Sequence, residues 1–428
     1  MGTLHRSAVM LALMLTASVA CCGALGGRPD QKDGLELSKP EEFFRSEGGK
    51  MEIWSPEHRA LQEARVAADR ITLEPRGLAL FKYSEAPGLA YVLEGQAKVG
   101  LSYPWEESAH VRTVKQGDII AIPRGIGHWC YNDGDQRAVV FRVSDTCDAS
   151  ETSDFEEFYL HGGSGNEGGS VLQGFDEELL SQAWDVDRDI VRQIRESQKG
   201  TRIVRLKEDI DILRDSRSRE SGDESWTKFT YNIDDAEPDI EVKNGGTFNL
   251  LTEKSFPILK ELKLSVMRVK LDKDAMLAPS YSCNMDGVMY VTKGSARIQV
   301  VGSDQQLLDN EVGEGSAVMI PQFHPTIVKA GRDGMEFTLI GNSEKPRLSF
   351  LAGKNAVFRN IPVEVLAAGN NVPVEVEQKI RERRQNDLVI FPPRGRDGKE
   401  AITKLRGLFF SQFEDLKSAW DSKLRTQV

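Results

Sequence analysis

The sequence predicts a mainly β protein built from two related domains. Two elements occur twice: residues 89–95 resemble residues 288–294, and residues 117–123 resemble residues 315–321, about 198 positions further along. A repeat spacing this long indicates a duplicated domain rather than a solenoid of short repeats. Within each copy, β-branched and aromatic runs alternate with glycine and proline turns, which is typical of a small antiparallel barrel or sandwich.

Length and composition fit two globular domains. The chain has 428 residues, of which 39% are hydrophobic and 28% are charged; these values allow each domain a full core. The formal net charge is -11. This charge argues against a nucleic-acid partner, whose phosphates need a basic surface, and against an anionic membrane surface.

Residues 1–23 predict a signal peptide. Arg6 precedes an apolar run at residues 8–17, and small residues follow up to Gly23. The run is too short to span a bilayer, and no later segment has 18 uninterrupted apolar residues, so we expect no membrane span after signal removal. An uncleaved anchor and a lipoprotein modified at Cys21 are the alternatives. The favoured prediction is a protein of the secretory pathway.

Strand patterns begin near residue 51, after a polar arm, and give way to helical patterns near residue 160. One predicted helical face holds five residues: Phe175, Leu179, Leu180, Ala183 and Trp184. Asp187 then caps a second helix, with Val186 and Val191 placed as a hydrophobic staple. A charged, serine-rich stretch at residues 214–224 predicts an exposed linker.

The second half repeats this plan. Strand patterns run from Trp226 to about Leu351, and two helical segments follow at residues 362–366 and 372–380. An apolar stripe then predicts an amphipathic tail helix, docked on its own barrel or on a neighbouring subunit; it comprises Ile402, Leu405, Phe409, Phe413, Leu416, Trp420 and Leu424. A membrane-surface helix is the alternative, but its polar face is mixed in charge.

These patterns divide the chain into six segments. They are a signal peptide (1–23), a polar N-terminal arm (24–50), a first domain with its helical extension (51–200), a charged linker (201–225), a second domain with its helical extension (226–385), and a C-terminal tail (386–428).

Beyond the signal segment, the chain has three cysteines: Cys130, Cys147 and Cys283. An odd count, with Cys130 and Cys283 inside strand-like runs, favours buried thiols over a disulfide framework. A bridge between Cys130 and Cys147 is possible but not favoured.

Five residues between 117 and 132 fit the second signature of the cupin superfamily at every position: Gly117, Pro123, Gly125, His128 and Asn132. More narrowly, the chain resembles a legumin-type (11S globulin-like) seed storage protein. The resemblance spans roughly residues 45–385 and is carried by residues 74–78, 84–87, 128–134, 174–180, 203–205, 256–259, 277–279, 296–301, 351–354 and 362–366.

This resemblance implies a fold, a function and an assembly. The fold would be two cupin barrels (double-stranded β-helix, jelly-roll), each followed by a small helical extension. The function would be that of a nutrient reservoir in seed or spore, stored in a vacuole or protein storage body, or else extracellular. The helices after each barrel would dock onto the neighbouring subunit head to tail and give a homotrimer.

The chain departs from the legumin pattern at the processing junction. Asn244-Gly245 stands near the expected place without the acidic pair or the cysteine that follow it in the family, and Glu63 replaces the early cysteine. The chain is therefore more similar to the unprocessed legumin-like bicupins. Cleavage near Asn244 and the choice between trimer and hexamer stay open.

Enzymatic cupins hold a metal ion with three histidines and one glutamate on inward-facing strand positions. Counting back from Gly95, the first-signature positions hold Phe81, Tyr83 and Gly88. Counting back from Gly294, the corresponding positions hold Ser280, Ser282 and Gly287.

The second signature keeps only part of a metal site. His128 survives in the first domain, and Thr326 replaces it in the second, with His324 two residues away on the same expected face. One imidazole cannot hold a divalent ion tightly, so we predict no metal, no cofactor and no catalytic residue. His128 is then a vestigial ligand, a barrel-mouth histidine satisfied by a hydrogen bond.

Two alternatives remain at this stage. One is a metal-dependent cupin enzyme of the oxalate oxidase or decarboxylase type, or a sugar isomerase. The other is a binding module that holds a small ligand in a barrel lined by Phe81, Tyr83 and Trp129.

Overall fold

The computed structural model describes residues 34–37, 39–104, 109–149, 155–161, 169–198, 202–210 and 228–393, and the backbone of residues 402–405. The strands of the first half are β1 (Glu36–Leu37), β2 (Glu41–Ser46), β3 (Gly49–Ile53), β4 (Val66–Leu73), β5 (Gly77–Ser84), β6 (Gly88–Glu94), β7 (Gln96–Ser102), β8 (His110–Lys115), β9 (Asp118–Ile122), β10 (Gly127–Tyr131), β11 (Ala138–Asp145), β12 (Glu157–Tyr159) and β13 (Ile203–Arg205).

The strands of the second half are β14 (Thr230–Asn232), β15 (Ile240–Val242), β16 (Gly246–Leu251), β17 (Ser265–Leu271), β18 (Met276–Ser282), β19 (Gly287–Val301), β20 (Gln306–Gly313), β21 (Ala317–Ile320), β22 (Thr326–Gly341), β23 (Leu348–Phe350), β24 (Ile390–Phe391) and β25 (Ile402–Leu405). The α-helices are α1 (Arg59–Ala64), α2 (Val171–Gly174), α3 (Glu177–Trp184), α4 (Arg188–Ser197), α5 (Leu259–Leu262), α6 (Val363–Asn370) and α7 (Val374–Glu382), and Val357–Asn360 form a 3-10 helix.

Both domains are jelly-roll arrangements of antiparallel strands. In the first domain, a seven-stranded sheet (β14-β9-β6-β11-β4-β3-β2) faces a six-stranded sheet (β12-β5-β10-β7-β8, with β13 beside β5). In the second, the long strands β19 and β22 each contribute to both walls, so twelve strands form one continuous sheet. The predicted mainly β fold with two jelly-roll domains is confirmed.

The two domains exchange edge strands. β1 pairs with β21 of the second domain, and β14 pairs with β9 of the first. β9 and β21 are the two copies of the repeated segment. The segment before the first domain therefore supplies an outer strand to the second domain, and the segment before the second domain supplies one to the first. This exchange satisfies backbone groups that would otherwise lie on an open sheet edge.

Strands therefore begin earlier than the sequence predicts. The segment predicted as a polar arm (24–50) contains β1, β2 and the start of β3. The reason is that its few apolar residues enter the core: Leu35 and Leu37 are each 3% exposed. The predicted linker likewise contains β13, which pairs with β5, while residues 211–227 and the predicted signal peptide lie outside the described residues.

A shared aromatic core joins the two domains. The ring of Tyr290 stacks on Phe141 with centroids 4.8 Å apart, and Trp54 meets the same two rings edge-on at 5.7 Å and 6.2 Å. All three side chains are at most 5% exposed. Offset and edge-to-face contacts of this kind stabilise beyond the apolar area that they bury.

Helices follow each domain as predicted, but their apolar faces stay largely uncovered. The Asp176 carboxylate caps α3 by accepting hydrogen bonds from backbone N–H groups, and α4 begins after Asp187, whose side chain makes no capping hydrogen bond. Leu180 on α3 and Val191 on α4 are buried. Nine large apolar side chains of α3, α4, α6, α7 and their flanks are exposed: Phe175, Leu179, Trp184, Ile190, Ile194, Phe358, Val365, Val376 and Ile380.

The tail differs from its prediction where the structure describes it. Ile402–Leu405 form strand β25, paired with β15, and not the start of a helix. An open edge of β15 offers backbone partners to an extended segment, and a helix cannot use them. The remaining stripe residues lie outside the described part. Within that part, no helix is long and apolar enough to cross a bilayer.

Candidate functional site

The interior of the first domain is centred on the β5–β10 ladder. His128 lies directly opposite Lys82, so both side chains point to the same face. Both are buried, at 7% and 6% exposure. Lys82 and Ser84 therefore occupy the inward positions that the sequence analysis assigned to Phe81 and Tyr83.

That assignment is wrong by one residue for a geometric reason. The hairpin between β5 and β6 has three residues (85–87), whereas its counterpart between β18 and β19 has four (283–286). Counting back from Gly95 by the same number of residues as from Gly294 therefore selects side chains on the opposite face of β5. Tyr83 stacks on Phe158 at 4.9 Å, and Trp129 lies against Gly100 on the outer face, so the ligand cavity predicted from Phe81, Tyr83 and Trp129 is not formed.

Four charged side chains meet inside this domain, which we call the interior charge cluster: Asp69, Lys82, Arg142 and Glu157. Lys82 Nζ lies 2.6 Å from Glu157 Oε1, and Arg142 Nη2 lies 2.9 Å from the same oxygen. Arg142 Nε donates to Asp69 Oδ2 at 2.8 Å. All four side chains are at most 8% exposed. Two cations and two carboxylates balance, which lets the buried charges persist.

The cations act unequally on the two carboxylates. Burial raises the pKa of Glu157, but Lys82 and Arg142 outweigh it and hold that pKa well below the usual value. Burial also raises the pKa of Asp69, and Arg142 only partly offsets the effect. Burial lowers the pKa of Lys82 although Glu157 opposes it. Glu157, which touches both cations, is thus the anionic centre of the cluster.

His128 is a neutral imidazole beside this cluster. Burial, together with the nearby charges of Lys82 and Arg142, lowers its pKa to about 4. Its Nδ1 lies 3.1 Å from the carbonyl oxygen of Ile126, so the neutral ring carries its proton on Nδ1 and donates it there. The buried Nε2 has no partner among the described residues.

The residues around His128 do not fit a metal site. Lys82, opposite it, is an ammonium donor with no lone pair to offer while protonated. In the second domain, Ser280 lies opposite Thr326. His324 precedes β22 in a turn, with Nδ1 2.7 Å from the carbonyl oxygen of Gln322, so strand alternation does not extend to it. Within the described part of the chain, no three His, Cys, Asp or Glu side chains converge on one point.

The second domain replaces the charge cluster with apolar residues. By strand register, Met267 corresponds to Asp69, Leu339 to Arg142, Leu348 to Glu157 and Phe350 to Tyr159, while Ser280 and Thr326 correspond to Lys82 and His128. These six side chains line a cavity of only about 50 Å³. The two interiors share strands and differ in chemistry.

The first domain has a larger cavity next to its charge cluster. It measures about 590 Å³ and is bounded by Asp69, Glu157, Tyr159, Arg202 and Phe43 among others. The sequence analysis predicted neither this cavity nor the cluster. The signal was present in Arg142, a charge within the apolar strand run of residues 138–143.

The three cysteines are free, as the sequence analysis favoured, but the predicted buried thiols Cys130 and Cys283 are only half-buried. Burial raises the pKa of Cys130 to about 12, so it is a thiol at neutral pH. Cys147 is exposed and Cys283 is half-buried. Asn244 sits in the β15–β16 turn at φ 58°, where the Gly245 N–H donates to the Val242 carbonyl.

Comparisons with known proteins cover most of the chain. The cupin family profile (Cupin_1, "Cupin") matches residues 35–192 and 231–378. The chain is 30% identical to 11S globulin seed storage protein Ana o 2.0101 of Anacardium occidentale, over 83% of this chain and 91% of that protein. It is 29% identical to Cocosin 1 of Cocos nucifera, over 86% and 90%. The solved structure of recombinant pro-11S globulin of pumpkin superposes with a TM-score of 0.78 at 28% identity, over 85% of this chain and 100% of that one.

Protonation of His128 is expected to destabilise the protein in acid. Its pKa is about 4 in the fold and about 6.5 in an unfolded chain, so the unfolded state binds more protons between these values. Stability is therefore complete above about pH 6.5 and falls as the pH drops towards 4, by up to about 3 kcal/mol. Urea unfolding at both ends of this range measures the loss.

The matching variant is His128→Thr, which copies the second domain and should remove most of this pH dependence. His324→Thr changes a half-exposed histidine and serves as the control that should keep it. If the stability of wild type and of His128→Thr depended equally on pH, protonation of His128 would not be the cause of the loss in acid.

The charge cluster should respond very differently to single and combined changes. Lys82→Ser leaves Glu157 short of one cation and is expected to destabilise the fold by about 3–5 kcal/mol. The combined variant Asp69→Met, Lys82→Ser, Arg142→Leu and Glu157→Leu copies the second domain, so its stability should lie near or above that of wild type. The free energy of unfolding in urea measures both effects. A combined variant that is less stable than Lys82→Ser would refute the equivalence of the two interiors.

Proposed function

Since the chain belongs to the cupin family as a legumin-type bicupin of the 11S globulin kind, we propose that it is a seed or spore storage protein, a nutrient reservoir. The observation that carries the proposal is the match over almost the full length of named seed storage globulins. Its value to the cell lies in being folded, dense and abundant, and later degraded.

The chemistry of the interiors supports a role without catalysis. Cupin enzymes need several imidazoles and a carboxylate converging on one ion. Here the inward positions hold Lys82 and Ser84 in one domain and Ser280 and Ser282 in the other. We therefore disfavour the oxalate oxidase or decarboxylase alternative.

The exposed helical faces support self-association. Leu179 on α3 and Ile380 on α7 are each 63% exposed, although both lie on apolar faces. Because one helical extension follows the first domain and the other follows the second, the extension of one subunit can dock on the other kind of extension of the next subunit. A heterologous contact of this kind closes into a ring, and we propose a homotrimer.

Processing and location follow the same line. We propose that residues 1–23 direct the chain into the secretory pathway and that it is stored in a vacuole or protein storage body. We propose that the two domains centre on residues 51–200 and 226–385. Strands β2 and β13 complete the sheets of the first domain, and β1 and β14 each pair with the domain that does not follow them. Asn244 lies in a hydrogen-bonded hairpin turn that a protease would have to open, so we propose that the chain stays uncleaved there.

Charge in the helical face should disrupt the trimer. Ile380→Asp places an unpaired carboxylate in a surface that becomes buried on assembly. We therefore expect the dissociation constant of the trimer to rise at least about tenfold. Sedimentation velocity at several concentrations measures it. Ile380→Leu is the matched control and should sediment as wild type; an unchanged Ile380→Asp trimer would place the interface elsewhere.

The storage function is tested by abundance and metal content together. Quantitative mass spectrometry should find the protein among the major proteins of mature seed or spore, with a steep loss on germination. Elemental analysis of the purified protein should find manganese and iron far below one ion per chain. Constant low abundance, or near-stoichiometric metal, would overturn the proposal in favour of an enzyme.

A further inference from the structure

The two domains differ in how their walls are joined. In the first domain, β5, β7, β8, β10, β12 and β13 form a separate sheet, which we call the distal sheet because the other sheet packs on the second domain. In the second domain, β19 and β22 run through both walls, so one continuous sheet joins them. Among the described strands, no pair joins the distal sheet to its neighbour. Side chains must therefore hold the distal sheet in place.

The apolar contacts of the distal sheet are small and local. The large core shared by the two domains takes side chains from β4, β6, β9 and β11, and in the described structure it takes none from the distal sheet. That sheet packs instead on small clusters, which include Val99, Leu101 and Ile203. The matching wall of the second domain adds Val328 and Phe350 to the large core. Because local stability follows apolar burial, we expect the distal sheet to open more easily than that wall.

Charged side chains join the distal sheet to the other sheet. Glu157 of the distal sheet accepts a hydrogen bond from Arg142 of the other sheet at 2.9 Å, and Lys82 Nζ lies 2.6 Å from the same carboxylate oxygen. In the second domain, Leu348 and Leu339 occupy the positions of Glu157 and Arg142. An apolar contact does not depend on pH, whereas a buried ion pair responds to any new charge beside it. The two domains should therefore respond differently to acid.

A cavity loosens the same contact. Its volume of about 590 Å³ lies between Met51 and Ala68 of the other sheet and Glu157 and Tyr159 of β12, whereas the cavity of the second domain measures only about 50 Å³. Side chains that line an open volume lack packing partners on one side. The volume also places water close to the ion pairs that join the two sheets.

His128 belongs to the distal sheet and lies among these charges. Three charged groups act on it: Lys82 on β5, Arg142 on β11 and Glu157 on β12. Its partner on β7, Leu101, is apolar. A proton on the imidazole would add a third cation beside Lys82 and Arg142, which already share the Glu157 carboxylate.

Three further titratable groups border this interior: Cys130 on β10, Tyr159 on β12 and Asp69 on β4. Burial raises the pKa of Cys130 and of Tyr159, so both stay protonated in acid. Burial also raises the pKa of Asp69, so its protonation favours the closed state and partly opposes that of His128. Lys82 and Arg142 hold the pKa of Glu157 well below its usual value, so Glu157 adds to the loss only below about pH 4.5.

We propose that the distal sheet is an acid-sensitive unit that opens before the rest of the protein unfolds, and that this opening selects the first domain for degradation by acid proteases. A protonated His128 is repelled by Lys82 and Arg142 inside the closed domain and is solvated by water when the sheet opens. The second domain has Thr326 at the position of His128, so it stays closed. The opening is a property of the fold; only its purpose in degradation rests on the proposed reservoir function.

The direction of the effect follows from proton binding. The pKa of His128 is about 4 in the closed domain and about 6.5 in water, so the open state binds more protons between these values. The sheet is therefore fully protected above about pH 6.5 and loses protection as the pH falls towards 4. At about pH 5, His128 alone should favour opening by about 30-fold relative to neutral pH, and Asp69 opposes part of this.

Hydrogen exchange of the purified full chain, read by mass spectrometry at about pH 7.5 and about pH 5, tests the opening. Protection factors are corrected for the pH dependence of intrinsic exchange. Peptides from β5, β7 and β10 should lose at least about tenfold in protection at the lower pH. Peptides from β18 and from the start of β22, which occupy the matching positions of the second domain, should keep theirs. An equal loss in both domains, or no loss in the first, overturns the proposal.

Variants assign the opening to His128. His128→Thr should abolish the acid loss of protection in the distal sheet, and His324→Thr, which changes a half-exposed histidine of the second domain, should keep it. A full loss in His128→Thr overturns the proposal. If His128→Thr proves unfolded in a urea titration at neutral pH, the contrast between the two wild-type domains still decides.

The purpose of the opening has a separate test. An aspartic protease at about pH 5 should cut inside β5, β7 or β10 of the wild type, and these cuts should be at least about tenfold slower in His128→Thr. Cuts elsewhere in the chain, at equal rates in both proteins, are the internal control. Equal rates inside the distal sheet refute the role in degradation, even where hydrogen exchange shows the opening.

Discussion

The packing of one domain against the other is the constraint on which the rest of the structure depends. Tyr290, Phe141 and Trp54 fill the contact between the domains, and one face of each central strand is committed to it. In β11, Phe141 and Val143 face this contact, whereas Arg142 faces the interior of its own domain. Because the contact between the domains stabilises both of them, the side chains that face the interior of each domain are free to differ.

That freedom explains why two copies of one fold carry different interiors. The ladder that holds Lys82 opposite His128 holds Ser280 opposite Thr326 in the second copy. One interior closed around apolar side chains and the other kept charges and open volume. Neither interior assembles the ligands of a metal enzyme in the described structure, and both are compatible with a reservoir.

The sequence predicted what local periodicity can encode. The repeat spacing and the turn residues predicted two β domains, and the 3.6-residue pattern predicted helices near α3 and α4. Partners far apart in the chain were not predictable, because nothing local marks Leu37 for a place beside Ala317. The Phe81 and Tyr83 error has the same origin: one residue fewer in a hairpin reverses every side chain before it. Exposed Leu179 shows that an amphipathic pattern predicts a buried face without saying which chain buries it.

The exchanged strands also determine when strand pairing can be completed during synthesis. When the first half leaves the ribosome, β9 has no outer neighbour, because β14 lies more than a hundred residues downstream. The nascent first half therefore carries a bare sheet edge next to apolar side chains, a combination that invites wrong pairing between crowded chains. A protein made in bulk in one compartment would then depend on chaperones during translation, and its finished halves could not be separated without exposing both edges again.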